Sequence, residues 1–366
     1  MKLHRADIYR YCLPLRAPLR LKKYTLSQRE GLLLRLETTE GCVAWGEASP
    51  LPGFSHEDIN DAERALKQVL QLLHEGENLP SWRTAEAWPP SVMCAVDMAL
   101  LRLHALHAHQ PLHRYLSPAA PDAVYLSLLL GDGETECPAR LERHRAVKLK
   151  VGRRPVAEDA ARARTLAATL PEGVSLRIDA NRAWDLENAK AFCNATQGLP
   201  IEFLEEPLHD PAQLPELVRQ TQCRIALDET LAEWASRRRG VPAAYTGDAS
   251  PGLPETAHPL LRVASALVWK PTLAPFSVQA VQELSACWNV PVILSGAYES
   301  GVATTAFAAY AAALAPAAAA GLDTYSSLAA DVLTVPLPLT SGQLSLAEAL
   351  AFNVSPAMLL PVPERP

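Results

Sequence analysis

Residues Val147 to Gly152 read VKLKVG, two lysines set in a run that otherwise has the composition of a buried strand. Side chains alternate across a strand, so Lys148 and Lys150 share one face, and Val147, Leu149 and Val151 take the other. Such a pair has a plain explanation, because lysines on a solvated edge strand discourage edge-to-edge association. Charged residues are mostly exposed, and the stretch in isolation favours that explanation. The rest of the chain reverses it.

Downstream of about Ala123, short apolar runs alternate with helical stretches: VYLSLLL from Val124, AVKLKVG from Ala146, VSLRIDAN from Val174, IEFLEEP from Ile201, CRIALDET from Cys223, ALVWKPT from Ala266, PVILSGA from Pro291 and GLDTYSS from Gly321. Eight strands with intervening helices predict a parallel barrel. A polar residue stands at or near the C-terminal end of each of several runs, at regular intervals. Lys150 to Asp179 is 29 residues, Asp179 to Glu205 is 26, Glu205 to Asp228 is 23, Lys270 to Ser295 is 25, and Ser295 to Asp323 is 28. Asp228 to Lys270, at 42, breaks the rhythm, and the excess falls in the Gly/Pro-rich Arg237–Pro259 insertion, which reads as a surface loop.

In such a barrel the C-terminal strand ends converge on one mouth, where active sites are built. Lys148, Lys150, Asp179, Glu205, Asp228 and Lys270 therefore meet around one pocket. Singly, each has a bland role: Asp179 and Asp228 as helix caps, Glu205 or Glu206 at a helix N-terminus, Lys270 exposed before Pro271. Three carboxylates on successive strands with lysines on both sides make a site the better reading.

Asp179, Glu205 and Asp228 offer hard oxygen ligands without cysteine or histidine, which selects Mg²⁺ (or Mn²⁺) over zinc. A metal-held carboxylate acidifies its neighbouring carbon, because proton loss gives an enediolate whose charge falls on oxygens beside the cation. The expected base is Lys150, nearest the strand end. Lys148 tunes it and holds its geometry, and Lys270, from the opposite side, is a second acid/base or a fixed cation over the enediolate.

The bulk numbers agree with a globular enzyme. The 366 residues are 49% hydrophobic and 20% charged, with a formal net charge of −6, and no basic block invites nucleic acid. Seven cysteines stand singly, without zinc or C-x-x-C spacing, as expected for reduced thiols in the cytoplasm. The N-terminus lacks a signal-peptide apolar core. Gly301–Gly321 is uncharged but alanine-rich, with Pro316 inside, and reads as a buried helix followed by a loop, not a membrane span. Ahead of the barrel, GLLLRLET (Gly31–Thr38) and CVAWGEAS (Cys42–Ser49) form a hairpin pattern. The Pro/Gly loop PLPGFSHED follows, then a helix near Glu57 with Ser55 as N-cap, and a second helix after Pro89-Pro90.

VKLKVG, RIDANRAW, FLEEP, LDET and WKPT, in this order, resemble the enolase superfamily, specifically its muconate-lactonizing-enzyme-like branch. GLLLRLETTEGCVAWGEASPLPGFSHED and SGAYESGVA narrow the resemblance to its o-succinylbenzoate synthase family, over essentially the whole chain. The resemblance implies an α/β fold, a modified (β/α)7β TIM-like barrel (119–335) with an α+β capping domain (1–118, joined by the tail 336–366). It implies Mg-dependent syn dehydration of 2-succinyl-6-hydroxy-2,4-cyclohexadiene-1-carboxylate to o-succinylbenzoate in menaquinone biosynthesis. Lys150 matches the family's base, and Lys270 the lysine opposite. Arg177 and Asn181 match positions near the substrate or metal, and Ser295, Gly296 and Ser300 a substrate-contacting region. Gly53 and Phe54 belong to a loop expected to close over the pocket. The expected partner is a small carboxylate, with no nucleic acid and no membrane. Lysines on both sides leave open N-succinylamino-acid racemase or dipeptide epimerase chemistry on the same fold. A non-catalytic barrel is disfavoured by the cost of keeping buried charges.

Overall fold

A computed structural model of the chain describes residues 2–21, 24–74, 88–131, 141, 143–237, 259–339 and 342–363. Most of the insertion expected as a surface loop, 238–258, lies outside the described residues.

The N-terminal strands β1 (Leu3–Leu21), β2 (Tyr24–Thr38) and β3 (Val43–Ala48) form an antiparallel sheet. The hairpin expected from the sequence has β2 and β3 in register from Leu32↔Ala48 to Glu37↔Val43. Strand β2 reads as a continuous apolar run because both of its faces are buried. Leu32, Leu34 and Leu36 pack with α1 (Ile59–His74) and α2 (Pro90–His107), while Leu33 joins Tyr11 and Leu13 in the core shared with the barrel. Helix α2 lies so close to β3 that a Cβ on Gly46 would stand 1.8 Å from the Ala95 carbonyl oxygen, and only glycine fits there. The start of α1 departs from expectation. Asp58 Oδ1, not Ser55, accepts from the first-turn amides, at 2.8 Å from both Asn60 N and Asp61 N. Ser55 Oγ instead accepts from Leu51 N at 2.9 Å and closes the loop before the helix.

The short helix α3 (Leu112–Leu116) and strand β4 (Ala123–Tyr125) lead into the barrel. Seven parallel strands follow in sequential order: β5 (Ser127–Leu129), β6 (Ala146–Lys150), β7 (Ser175–Asp179), β8 (Ile201–Glu205), β9 (Ile225–Leu227), β10 (Ala264–Trp269) and β11 (Val292–Leu294). Between them run α4 (Val156–Thr169), α5 (Leu186–Ala195), α6 (Leu214–Thr221), α7 (Glu229–Arg237) and α8 (Val278–Trp288), with α9 (Gly301–Leu314) after β11. The eighth run, expected as a strand, is reduced to two bridging residues. Ala320 pairs with Leu126 and Gly321 with Ser295, both parallel, and these bridges join β11 back to β5 to complete the ring. The fold class is thus a (β/α) barrel carrying an α+β cap, as expected. The C-terminal segment returns twice: β12 (Gln343–Ser345) pairs with β4, α10 (Leu346–Leu350) follows, and β13 (Leu360–Pro361) pairs with β1.

The alanine-rich run is α9, buried from Gly301 to Ala312. It is wedged between β3 of the cap and β11 of the barrel and also touches α3, α8, α10 and β4. A helix enclosed on all sides is apolar all round, and alanine lets so many neighbours approach its backbone. Among the described residues no helix is long and apolar enough to cross a membrane.

Candidate active site

Strand register brings the polar residues into one layer at the barrel mouth. Lys150 pairs across with Asp179, and Asp179 with Glu205. Asp228 follows β9 directly, and Lys270 follows β10. The three carboxylate residues are buried, at 1%, 1% and 4% exposure for Asp179, Glu205 and Asp228. Lys148 Nζ lies between two of them, 2.8 Å from Asp179 Oδ2 and 2.7 Å from Glu205 Oε1. Lys270 Nζ pairs with Asp228 Oδ2. Lys150 makes no ion pair among the described residues and faces the cavity.

The electrostatics sort the groups by role. Burial pushes the Lys148 and Lys270 ammonium pKa values down, but the adjacent carboxylates outweigh it and hold both well above the usual lysine value. Burial pushes Asp179 up, yet Lys148 and Lys150 keep it below its ordinary value. Burial, then Asp179, push Glu205 up to about 8, and burial, then Asp228, push Glu229 up to about 7. Three buried carboxyl groups face two directly paired ammonium groups, so a further cation in this layer would favour the ionised form of Glu205.

A cavity opens over this layer. Lys148 and Lys150 of β6, Asp179 and Asn181 at the end of β7, Lys270 after β10 and Ser295 and Gly296 after β11 line it, with Gly321, Asp323 and Thr324 beyond them. Ser127 and Leu129 of β5 complete the floor. Leu21, Leu51 and Phe54 of the cap roof it, with Leu21 and Leu51 clustered against Ala297 and Tyr298 of the barrel.

Of the residues matched by resemblance, Asn181, Ser295, Gly296 and Phe54 line the cavity. Asn181 has a φ of 44°, and its amide donates to Asp179 Oδ1 at 3.2 Å. Gly53 is off the wall; its φ of 86° turns the loop that carries Phe54. Arg177 is also off the wall. It sits two residues deeper than Asp179, where its Nε donates to Glu202 Oε2 at 2.7 Å and its Nη1 to the Ala319 carbonyl at 2.7 Å. Ser300, buried behind the wall, caps α9 by accepting from Val302 N, and donates to Glu47 of the cap. Neither lines the cavity: each belongs to the frame that holds the wall.

Glu206 was given no site role from the sequence, only a place beside Glu205 at a helix N-terminus. With a φ of 40° it turns away from its neighbour. Its Oε1 accepts from Asp228 N at 2.9 Å and Thr230 N at 2.7 Å, and its Oε2 from Arg182 Nε at 3.0 Å. It anchors the strand end that presents Asp228. Asp323, Leu129 and Tyr298 are wall residues the sequence reading did not assign; Asp323 had a signal, the spacing of 28 from Ser295.

The donor set fits a hard divalent cation: oxygen ligands only, buried, with one more carboxylate than paired ammonium groups. In the arrangement seen, Lys148 and Lys270 hold carboxylate oxygens, and no three acidic side chains among the described residues are gathered into a ligand shell.

Comparisons with known proteins agree with this geometry. Residues 3–103 match the MenC N-terminal domain, and residues 134–247 match an enolase C-terminal domain-like family. An o-succinylbenzoate synthase of Yersinia pseudotuberculosis serotype O:3 (strain YPIII) is 33% identical over 353 residues, covering 93% of this chain and 98% of the relative. One from Klebsiella pneumoniae (strain 342) is 31% identical, covering 90% and 93%. A dipeptide epimerase from Enterococcus faecalis V583, solved with Mg and the dipeptide L-Leu-L-Tyr, shares the fold with a TM-score of 0.76 at 19% identity, over 98% of this chain and 99% of the other. The fold, the layer of lysines and carboxylates at the barrel mouth and these full-length matches together make the chain a member of the o-succinylbenzoate synthase family of the enolase superfamily.

Proposed function

We propose that this chain is itself an o-succinylbenzoate synthase, which removes water from 2-succinyl-6-hydroxy-2,4-cyclohexadiene-1-carboxylate. The observation that carries the mechanism is the division among the lysines. Lys148 and Lys270 are held as cations by carboxylates, whereas Lys150 has no such partner among the described residues and faces the cavity. Asp179, Glu205 and Asp228 would hold Mg²⁺, which when bound supplies a positive centre for the substrate carboxylate.

Lys150, as the neutral amine, takes the proton from the carbon bearing the carboxylate, and the C–H electron pair moves into the enediolate. When the enediolate collapses, the ring double bond forms and the C–O bond to the hydroxyl breaks. Lys150 returns the proton to the departing oxygen, so water leaves from the face the proton left. Lys270, fixed as an ammonium on the opposite side, faces the anionic ring. Leu21, Leu51 and Phe54 exclude bulk water above it. Two-base racemisation would need Lys270 to exchange protons as well, and its pairing with Asp228 favours the one-base reading. The six described cysteines are unbridged, which fits work in the reducing cytoplasm.

The test is a spectroscopic assay of the purified protein with the diene and Mg²⁺, with EDTA and Lys150→Ala as controls. Diene loss that requires both metal and Lys150 is the expected result. A folded, Mg-loaded protein that leaves the diene intact but exchanges the α-proton of N-succinyl amino acids in D₂O would replace the synthase by the racemase.

A further inference from the structure

Arg29, on β2 of the cap, is 2% exposed and makes no ion pair among the described residues. Its guanidinium is spent on three backbone carbonyls. Nε donates to Tyr298 O at 3.2 Å, Nη1 to Pro50 O at 3.1 Å and Nη2 to Ser49 O at 3.0 Å. These carbonyls belong to two segments that meet over the cavity. Ser49 and Pro50 lead into Leu51 and Phe54 of the roof, and Tyr298 is part of the barrel wall. In front of Arg29 the two segments close by apolar contact, Leu21 and Leu51 against Ala297 and Tyr298. Tyr298 has a φ of 66°, a left-handed backbone that a non-glycine residue holds only where its surroundings enforce it.

A buried guanidinium with only neutral acceptors is costly to desolvate, and a position this buried would be filled more cheaply by an apolar side chain. What an arginine adds is a planar fork that spans three acceptors at fixed spacing, which a lysine's single ammonium cannot do.

We propose that Arg29 is a positioning residue for the reaction: it clamps the cap loop Ser49–Phe54 to the barrel loop at Tyr298, and so sets how closely the roof seals over the substrate. The kinetic part of this inference rests on the synthase reading; the structural part does not.

The test compares Arg29→Gln and Arg29→Lys with the wild type by two readouts. The first is amide hydrogen exchange at Leu51, Phe54 and Ser55, whose amides are bonded within the roof loop, to Ser55 Oγ and to the Leu51 carbonyl. Both variants are expected to exchange there about tenfold faster, with the amides of β7 and β8 unchanged. The second is steady-state turnover of the diene with Mg²⁺. KM is expected to rise about tenfold in Arg29→Gln while kcat falls less than about threefold, the pattern of lost uniform binding, with Arg29→Lys in between. Wild-type exchange at the roof would overturn the proposal. So would faster exchange spread evenly over the barrel, or a fall in kcat at unchanged KM. If Arg29→Gln fails to fold, Arg29→Lys, which keeps the buried charge, carries both readouts. A wild type inactive on the diene would sink the synthase reading, while hydrogen exchange would still decide whether Arg29 clamps the roof.

Discussion

Replacing Glu47 with Gln tests how the cap is fastened to the barrel. Glu47 is buried at the end of β3, and its carboxylate reaches across to the first turn of α9. Oε1 accepts from Tyr11 Oη at 2.6 Å and from Ser300 N at 2.8 Å, and Oε2 from Ala303 N at 3.0 Å and from Ser300 Oγ. A carboxylate at a helix N-terminus also meets the positive end of the helix dipole. Glutamine keeps one oxygen, able to serve about two of the four donors, and turns an NH₂ group against the other two. Hydrogen bonds to a charged group contribute about 1.5–3 kcal/mol each, so losing two costs about 3–6 kcal/mol. An unfolding entropy of about 2.1 cal/mol/K per residue gives about 0.8 kcal/mol/K for a chain of this length, and the melting temperature should fall by about 4–8 °C. Scanning calorimetry at neutral pH reads this directly, and urea unfolding should show a lower midpoint at unchanged slope. Tyr11→Phe removes one of the same bonds, and the double variant should lose less than the two single losses combined. A Glu47→Gln protein melting within about 1 °C of wild type would refute the reasoning.

The lysines of β6 should part company on mutation. Lys150→Met should lower turnover by about 10²–10⁴, the range for a general base, with a melting shift under about 2 °C. Lys148→Met leaves Asp179 and Glu205 without their shared cation and should cost about 3–5 kcal/mol when melted without Mg²⁺; equal stability of the two variants would contradict the assignment. Gly46→Ala drives a Cβ into the Ala95 carbonyl and should cost at least about 3 kcal/mol by urea unfolding, or abolish soluble yield. The pairing of Glu202 with Arg177 gives a pH signature. Burial pushes Glu202 up, but Arg177 holds it below its ordinary 4.5, so its contribution is full above that pH and fades as pH falls further. Glu202→Gln should therefore be less stable than wild type at pH 7, and the gap should narrow as pH falls below 4.5; a gap that does not narrow on acidification would count against the pair.

The barrel was legible because its signal is local and repeated. Each strand is a short apolar run ending in a polar residue, and regular spacing of those ends is what a parallel ring requires. The eighth strand was overcalled because GLDTYSS has the right position, but the ring closes with two residues there, Ala320 and Gly321. That Arg177 and Ser300 stand off the cavity wall was hidden for a related reason. Proximity in sequence to a strand end does not give depth: two residues along a strand is about 6–7 Å, enough to move Arg177 from the mouth to a lower layer. Ser300 lies five residues past Ser295, beyond the strand, where the chain has already turned into a helix cap. The cap–barrel fastenings were invisible altogether. Glu47 meets Ser300 across 253 positions and Arg29 meets Tyr298 across 269, and no periodicity links such pairs.

Why one strand aims two lysines the same way follows from charge. Asp179, Glu205 and Asp228 are buried together, and ionised carboxylates persist in such a place only where cations are supplied. Lys270 serves Asp228 from β10. Asp179 and Glu205 lie side by side on β7 and β8, and one ammonium from β6 serves both. That ammonium comes from Lys148, whose backbone pairs with Arg177 one layer below the carboxylates and whose side chain reaches up between them. A strand with a single lysine would spend it there, as a fixed cation unable to accept a proton. The second, two residues on, shares the face but stands level with Asp179. With its neighbours' charge already met by Lys148, Lys150 is left to face the cavity. On this argument the paired lysine is the condition for the proposed base, and Lys148→Met should impair catalysis as well as stability, because Lys150 would then be drawn onto the carboxylates that Lys148 had held.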